Sequence, residues 1–350
     1  MDEVELLHGL VSIGSPTGRT DRMRDFLLES AGAMGLRATV DAAGNVVMVA
    51  GEGPVHIMLL CHMDTVPGEL PVKLDGRTLH GRGAVDAKGC LAMAMQVASA
   101  LRGTRRGRVT VVAVPDEEGP SDGAREVARG PRPDLVVVGE PSGWDGITIG
   151  YKGAVRLRYR GASAKHHSGA ARRNSAELAV GFWTALDAFC AGEPPGAPEG
   201  RLFERLSATL LSVRTDDDGV TLTTDMDIDV RVPWGYDDGR LDAFVGRARG
   251  DATVAVAGRE APVLAQKNNG LVRALVHAIR ANGGEPRFKK KTGTSDMNVV
   301  AEAWGGLPIV AYGPGDSSLD HTPEERLDLD EYLRAIATLR LALERLLEGS

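Results

Sequence analysis

Five short segments carry the residue types that metal-assisted hydrolysis needs, and each follows an apolar run or sits in a glycine-rich turn. In Cys61-His62-Met63-Asp64, the alternation of an extended chain points His62 and Asp64 to one side. An imidazole nitrogen of His62 can ligate a metal, while Asp64 accepts the other ring N–H and fixes the tautomer. Taken alone, His-x-Asp describes a surface or core pair equally well. The glycine-punctuated segment 81–89 puts Asp86 at the mouth of a helix, where it can bridge two cations or simply cap the helix. Pro115-Asp116-Glu117-Glu118-Gly119 sets adjacent carboxylates after a buried strand. Such a pair repels when buried unless a cation lies close, and needs nothing when solvated. Gly139-Glu140-Pro141-Ser142 repeats the arrangement, and Asp320-His321-Thr322-Pro323 sets an imidazole on a turn-rich loop. Their order, each at a strand end or in a glycine-rich loop, argues for one site at the carboxyl ends of the strands of an open α/β sheet.

Such a site needs strands that end together and helices that cover them. Apolar or β-branched runs bounded by turn residues predict strands at 46–49, 56–61, 109–114 and 135–138, with a buried helix at 91–101. Helix-spaced Leu6, Leu7 and Leu10, then Met23, Phe26 and Leu27, predict helices over 2–13 and 20–35, split by the breaker run Gly14-Ser15-Pro16-Thr17-Gly18. Strands alternating with helices imply a sheet covered on both faces. The pattern changes near Gly153. An alternating strand at 155–160, a helix at 176–190, strands at 208–214 and 221–232, a helix at 241–249 and a strand at 252–257 follow the order of a split βαβ sandwich. The first pattern returns with a helix at 270–281, a strand at 309–312 and a helix at 329–347. The expected organisation is an α/β domain of residues 1–152 and 262–350, interrupted by a small α+β domain at 153–261. The Pro/Gly-dense stretch 193–198 is expected to be a surface loop.

Composition narrows the class. With 43% hydrophobic and 25% charged residues over 350 positions, the chain can bury full cores in roughly two domains. A net charge of -7 spread along the chain argues against nucleic acid as a partner. Cys61, Cys90 and Cys190 show no paired spacing, so neither a disulfide framework nor a zinc ribbon is indicated, and a reducing compartment fits. The acidic start is unlike a signal peptide, and no apolar run approaches the ~18 to 20 residues that span a bilayer. The expectation is a cytoplasmic enzyme with no membrane partner.

This constellation resembles a known family, the co-catalytic zinc aminoacylases and exopeptidases that include acetylornithine deacetylase and succinyl-diaminopimelate desuccinylase. The resemblance covers nearly the whole chain and rests on the order H-x-D, G-x-x-D-x-K-G, E-E, G-E-P and a late His. It implies a zinc-exopeptidase-like mixed sheet with helices on both faces and an inserted ferredoxin-like lid and dimerisation domain. It also implies two zinc ions, replaceable by cobalt. His62 and Glu140 would bind one, Glu118 and His321 the other, and Asp86 would bridge both. Glu117 is then the general base, with Asp64 behind His62. In the family, a His of the inserted domain reaches the partner subunit's site as an oxyanion donor, which implies a homodimer. The pattern of His followed by Ser-Gly selects His167; His166 is the alternative, because this sequence has an extra residue there. Arg231 stands where the family keeps an Arg for a substrate carboxylate. Thr294, Ser295 and Asp296 resemble substrate-contacting positions, and Asp296 could meet a distal ammonium or merely begin a helix.

Within the family, segments 139–144, 291–298 and 313–323 look most like the LysW-lysine and LysW-ornithine hydrolases of lysine and arginine biosynthesis. That likeness implies an amidohydrolase that frees lysine, ornithine or both from the C-terminal Glu side chain of a small acidic carrier protein, LysW. An N-acetyl-lysine or N-acetylornithine deacetylase, or a dipeptidase, would use the same site without a carrier. A metal-binding protein without catalysis is opposed by Glu117 and the complete ligand set. For an acidic enzyme to hold an acidic carrier, local charge must run the other way. Arg172-Arg173 and Lys289-Lys290-Lys291 are the clusters that could supply it, unless they are ordinary solvated charges.

Overall fold

A computed structural model describes residues 2–196 and 201–348. The chain divides into two compact units: Met1–Gly150, Ala265–Lys290 and Ser295–Ser350 form one, and Tyr151–Leu264 with Lys291–Thr294 the other.

The first unit is built on a mixed sheet. Its strands run in the order Arg37–Val40, Val46–Ala50, Gly107–Val114, Val55–His62, Leu135–Val138, Ile309–Ala311 and Gly146–Tyr151. The central members, from Gly107–Val114 to Ile309–Ala311, are mutually parallel, so their carboxyl ends stand side by side. Their outer neighbours are antiparallel. Residues 57–62 are all buried, the continuous burial that a strand between two parallel partners requires. Helix Lys88–Ala100 packs on strands Val55–His62 and Gly107–Val114 and against helices Glu3–Val11 and Leu329–Glu348. It is buried nearly all round, as its run of Ala, Leu, Met and Val demands. Helices Asp122–Arg129 and Asp296–Ala303 pack on one another. Capping boxes of Asp2 with Glu5 and of Ser295 with Asn298 start two of the helices by satisfying N–H groups that a helix leaves unpaired.

The second unit is a four-stranded antiparallel sheet in the order Ser207–Asp217, Thr221–Val232, Gly153–Ala164, Thr253–Glu260, with helices Ser175–Gly192 and Asp238–Ala248. Strand alternation explains its core. Val155, Leu157 and Tyr159 join Met226, Ile228 and Val230 on the face that meets Phe182 and Leu186, with the Tyr159 and Phe182 rings 5.0 Å apart. Arg158 and Arg160 alternate with them and lie 3.5 Å from Asp227 and Asp225 on the solvated face. In the Pro/Gly-dense stretch, the peptide before Pro194 is cis, and Ala197 and Pro198 lie outside the described residues. No helix among the described residues is long and apolar enough to cross a membrane.

Candidate metal centre

Each parallel strand of the first unit leads into a loop that carries a candidate residue. Val55–His62 ends on His62 itself, Gly107–Val114 leads to Glu117 and Glu118, Leu135–Val138 to Glu140, and Ile309–Ala311 to the loop with His321. This is where open α/β sheets place their ligands. Two glycines let the loops leave the sheet. A Cβ on Gly139 would stand 2.3 Å from Cys61 Sγ, and one on Gly313 2.3 Å from Cys90 Sγ.

The geometry centres on Asp86. Its Oδ1 lies 3.1 Å from His62 Nε2 and its Oδ2 3.1 Å from His321 Nε2, so one carboxylate stands between two imidazoles. His321 Nε2 is also 2.9 Å from Glu118 Oε1. The ligand atoms of Asp86, Glu118 and His321 all lie within 4.8 Å of one another, a spread that one ion can span. His62 Nδ1 is 3.0 Å from the Asp64 backbone carbonyl and 3.4 Å from its carboxylate, so the carbonyl is the nearer group to fix the tautomer expected from the Asp64 side chain. The Asp64 carboxylate has another task. It accepts the backbone N–H of Glu117 at 3.1 Å and of Glu118 at 3.2 Å, and the Thr17 hydroxyl at 2.6 Å. It therefore shapes the turn that presents both glutamates.

The electrostatics are those of a site short of positive charge. Burial pushes the Glu117 carboxyl well above the usual range, and the nearby Glu140 carboxylate adds to it. Burial would lower His62, but bonds to Asp64 and Asp86 raise it well above the usual imidazole range. Burial likewise works against ionised Asp86, yet His321 and His62 hold it below the usual carboxylate range. Asp86 and Glu118 push His321 up to about 10. Asp296 is only 1% exposed; burial, opposed by His62 and reinforced by Glu140, pushes it up to about 8, and its Oδ1 has no hydrogen-bond partner. The carboxyl groups of Asp64, Asp86, Glu117, Glu118, Glu140 and Asp296 thus outnumber two imidazoles, buried His62 and exposed His321. This excess and the orphaned oxygen fit divalent cations, and imidazole with carboxylate donors suits zinc. Cys61, next to His62, is not one of the donors, since its Sγ turns towards the Cys90 carbonyl.

The remaining candidates divide between the units. Ser295 caps helix Asp296–Ala303, so Asp296 is both a helix start and a buried carboxyl. In the second unit, Arg231 Nη1 donates to Thr294 Oγ1 at 3.1 Å, and its Nε lies 2.6 Å from Asp229 Oδ2. His167 is exposed, with Nδ1 accepting the Gly169 N–H at 3.1 Å. His166 is half-buried, and its Nε2 has no hydrogen-bond partner.

Several supports of the centre escaped sequence reasoning. Thr17 lies in a run that reads only as a helix breaker, and Arg82 looks like a loop charge. Glu325, the second of the pair Glu324-Glu325 four residues after His321, reads as an exposed acidic turn, although it is 1% exposed. Glu331 Oε1 accepts the N–H groups of both Trp144 and Gly315, joining the Glu140 loop to the His321 loop. Spacing could have flagged Glu325 alone, through its closeness to His321.

Residues 58–345 match the family model for peptidase family M20/M25/M40. The chain is 43% identical to the [LysW]-lysine hydrolase of Deinococcus radiodurans, an alignment covering 99% of this chain and 97% of that protein. It is 30% identical to the [LysW]-lysine/[LysW]-ornithine hydrolase of Sulfurisphaera tokodaii, over 98% of this chain and 95% of the other. Among solved structures, an M20 family metallo-carboxypeptidase from Sulfolobus solfataricus superposes with a TM-score of 0.80 at 18% identity, covering 98% of this chain and 99% of that one. The aminopeptidase PepT of Bacillus cereus gives 0.77 at 17% identity, covering 98% of each chain.

Proposed function

This chain belongs to peptidase family M20/M25/M40, and on that premise we propose that it is a two-metal amidohydrolase releasing lysine, ornithine or both from a LysW-type carrier protein. The observation that carries the chemistry is Asp86 held between His62 and His321, the position of a ligand shared by two ions. The substrate class rests on relatives of that name aligned over nearly the full chain.

His62 and Glu140 would hold one zinc and Glu118 and His321 the other, with Asp86 as the shared ligand, and cobalt could take their place. Ions bound there would supply Lewis acidity to the scissile amide and to the attacking water. Glu117 takes the proton of that water and returns it to the departing amine. Arg231, braced by Asp229 and Thr294, offers a fork of donors to the substrate carboxylate. Ser295 and Asp296 are further substrate-contacting candidates, with the Asp296 carboxyl the group that would meet a distal ammonium.

The second unit acts as lid and dimerisation domain, and His167 donates to the oxyanion in the partner's site. Support for a homodimer lies in its edge strand Ser207–Asp217, which leaves Leu211 and Val213 exposed, and in helix Ser175–Gly192, which exposes Leu178 and Val180. The enzyme works in the cytoplasm.

The test compares hydrolysis of LysW-linked lysine, LysW-linked ornithine and their acetyl analogues by the same preparation, alongside its metal content. The carrier-linked substrates should be preferred, with two ions per chain. A preference for the free acetylated amino acids would replace the substrate with a deacetylase's. Full activity with one ion would remove the two-metal assignment.

A further inference from the structure

We propose that Glu325, working through Arg82, is the positioning residue that holds the bridging carboxylate and the His321 loop in one fixed relation, so that metal affinity depends on it. The inference rests on the metal reading above and deepens it.

Glu325 uses its whole carboxylate. Oε1 accepts the backbone N–H of Val85 at 3.0 Å and of Asp86 at 3.1 Å, and Oε2 accepts from Arg82 Nη1 at 2.9 Å. The same Nη1 donates to the Thr322 carbonyl at 3.2 Å, and Arg82 Nε donates to the Gly68 carbonyl at 3.1 Å. The Glu325 backbone carbonyl takes the Gly81 N–H at 3.2 Å, closing the ring. One buried ion pair therefore grips the backbone of Asp86 directly and the residue after His321 through a single guanidinium. His321 itself sits at φ 62, a left-handed conformation that a non-glycine residue holds only when its surroundings fix it.

Stability alone gives little reason for this pair. A buried ion pair replaced by well-packed apolar groups often leaves stability unchanged or improved. What apolar groups cannot do is hold two backbone N–H groups and a carbonyl from two loops at set distances. Asp86 Oδ1 and Oδ2 each lie 3.1 Å from a different imidazole, so a small swing of the 85–86 peptide would draw the bridge away from both. Glu325 touches no candidate ligand side chain; its effect on the centre passes through Asp86 and Thr322.

The experiment uses full-length chain stripped of metal and titrated with zinc against a competing chelator, with circular dichroism and melting of the stripped form checking the fold. Glu325→Gln keeps one acceptor oxygen but sets an amide NH2 against either Arg82 or the two N–H donors. Zinc affinity should fall about 10- to 100-fold, the loss typical when the partner behind a metal ligand is removed. Excess zinc should recover most of kcat. Arg82→Met keeps the two N–H bonds to Glu325 Oε1 but removes the ion pair with Oε2 and the ties to Thr322 and Gly68. It should weaken zinc binding by a smaller factor, and it carries the test if the Gln variant does not fold. Folded variants that bind zinc as wild type does would overturn the proposal. A wild-type chain that binds no divalent ion would overturn the metal reading instead.

Discussion

The loops that carry the candidate metal ligands in the first unit and the candidate substrate residues of the second are held in different ways. In the first, each loop is fixed by buried groups that do no chemistry. Asp64 takes the N–H groups of Glu117 and Glu118, Glu325 takes those of Val85 and Asp86, and Glu331 takes those of Trp144 and Gly315. In the second, His167 is exposed and bonded only within its own turn, and Arg231 leans on a neighbour along its strand and on Thr294. The candidate ion ligands are prearranged, as ligands that act before substrate arrives need to be, whereas a residue whose task is to meet substrate or a partner chain needs its final position only when that is present.

The sharpest way to break this contrast is Glu117→Gln. The Asp64 bond uses the Glu117 backbone, so the turn should survive, and the amide remains polar but takes no proton. Turnover should fall about 10²- to 10⁴-fold, with metal content unchanged by elemental analysis. A metal-replete variant of near-normal activity would show that this prearranged glutamate is not the base.

A second test asks whether the exposed residues matter once substrate is bound. If His167 supplies the oxyanion donor, His167→Ala should lower kcat roughly 10²-fold while zinc affinity stays put, and His166→Ala should remain near wild type. The reverse result would assign the role to His166. Equal, small effects would move the donor to another residue.

How far the sequence disclosed this arrangement followed burial. Strands with near-continuous apolar runs, such as Leu135–Val138, and long amphipathic helices, such as Leu329–Glu348, are legible because period and burial coincide. Arg287–Lys291 is not, since Arg-Phe-Lys-Lys-Lys carries no apolar alternation and its pairing comes from a neighbour distant in sequence. Helices Asp122–Arg129 and Asp296–Ala303 have only eight residues each, too few for a periodic signal to stand out. Gly146–Tyr151, wholly buried, was hidden by the glycines at both ends of its short apolar core. In the site, residues that could carry chemistry stood out by type and by their place after strands. Glu325, Arg82 and Thr17 did not, because a hydrogen bond to a backbone N–H or to another loop leaves no periodic mark on the chain.

The smallest expected effect concerns the partner and the surface charges that would meet it. If the substrate is joined to an acidic carrier, an enzyme of net charge -7 needs a local reversal of sign to capture it. The two basic clusters differ in how free they are to supply it. Lys291 lies half-buried with its ammonium 5.8 Å from the centre of the Tyr151 ring, and Lys289 is half-buried in the same strand, which leaves only Lys290 of the three exposed. Arg172 and Arg173 are both exposed, just after His167, and make no ion pair among the described residues. Charge reversal at Arg172 and Arg173 should therefore slow capture of the carrier-linked substrate more than the same change across Lys289, Lys290 and Lys291. The expected loss in kcat/KM is roughly three- to tenfold at low salt, because a rim charge acts on the rate of encounter rather than on the chemistry. It should shrink as added salt shortens the Debye length to about 3 Å at 1 M, and a small acetylated substrate should be cleaved as before. A loss that persists at high salt, or one shared by the small substrate, would show that these arginines shape the loop carrying His167 instead of steering a protein, and would place them with the prearranged supports of the first unit.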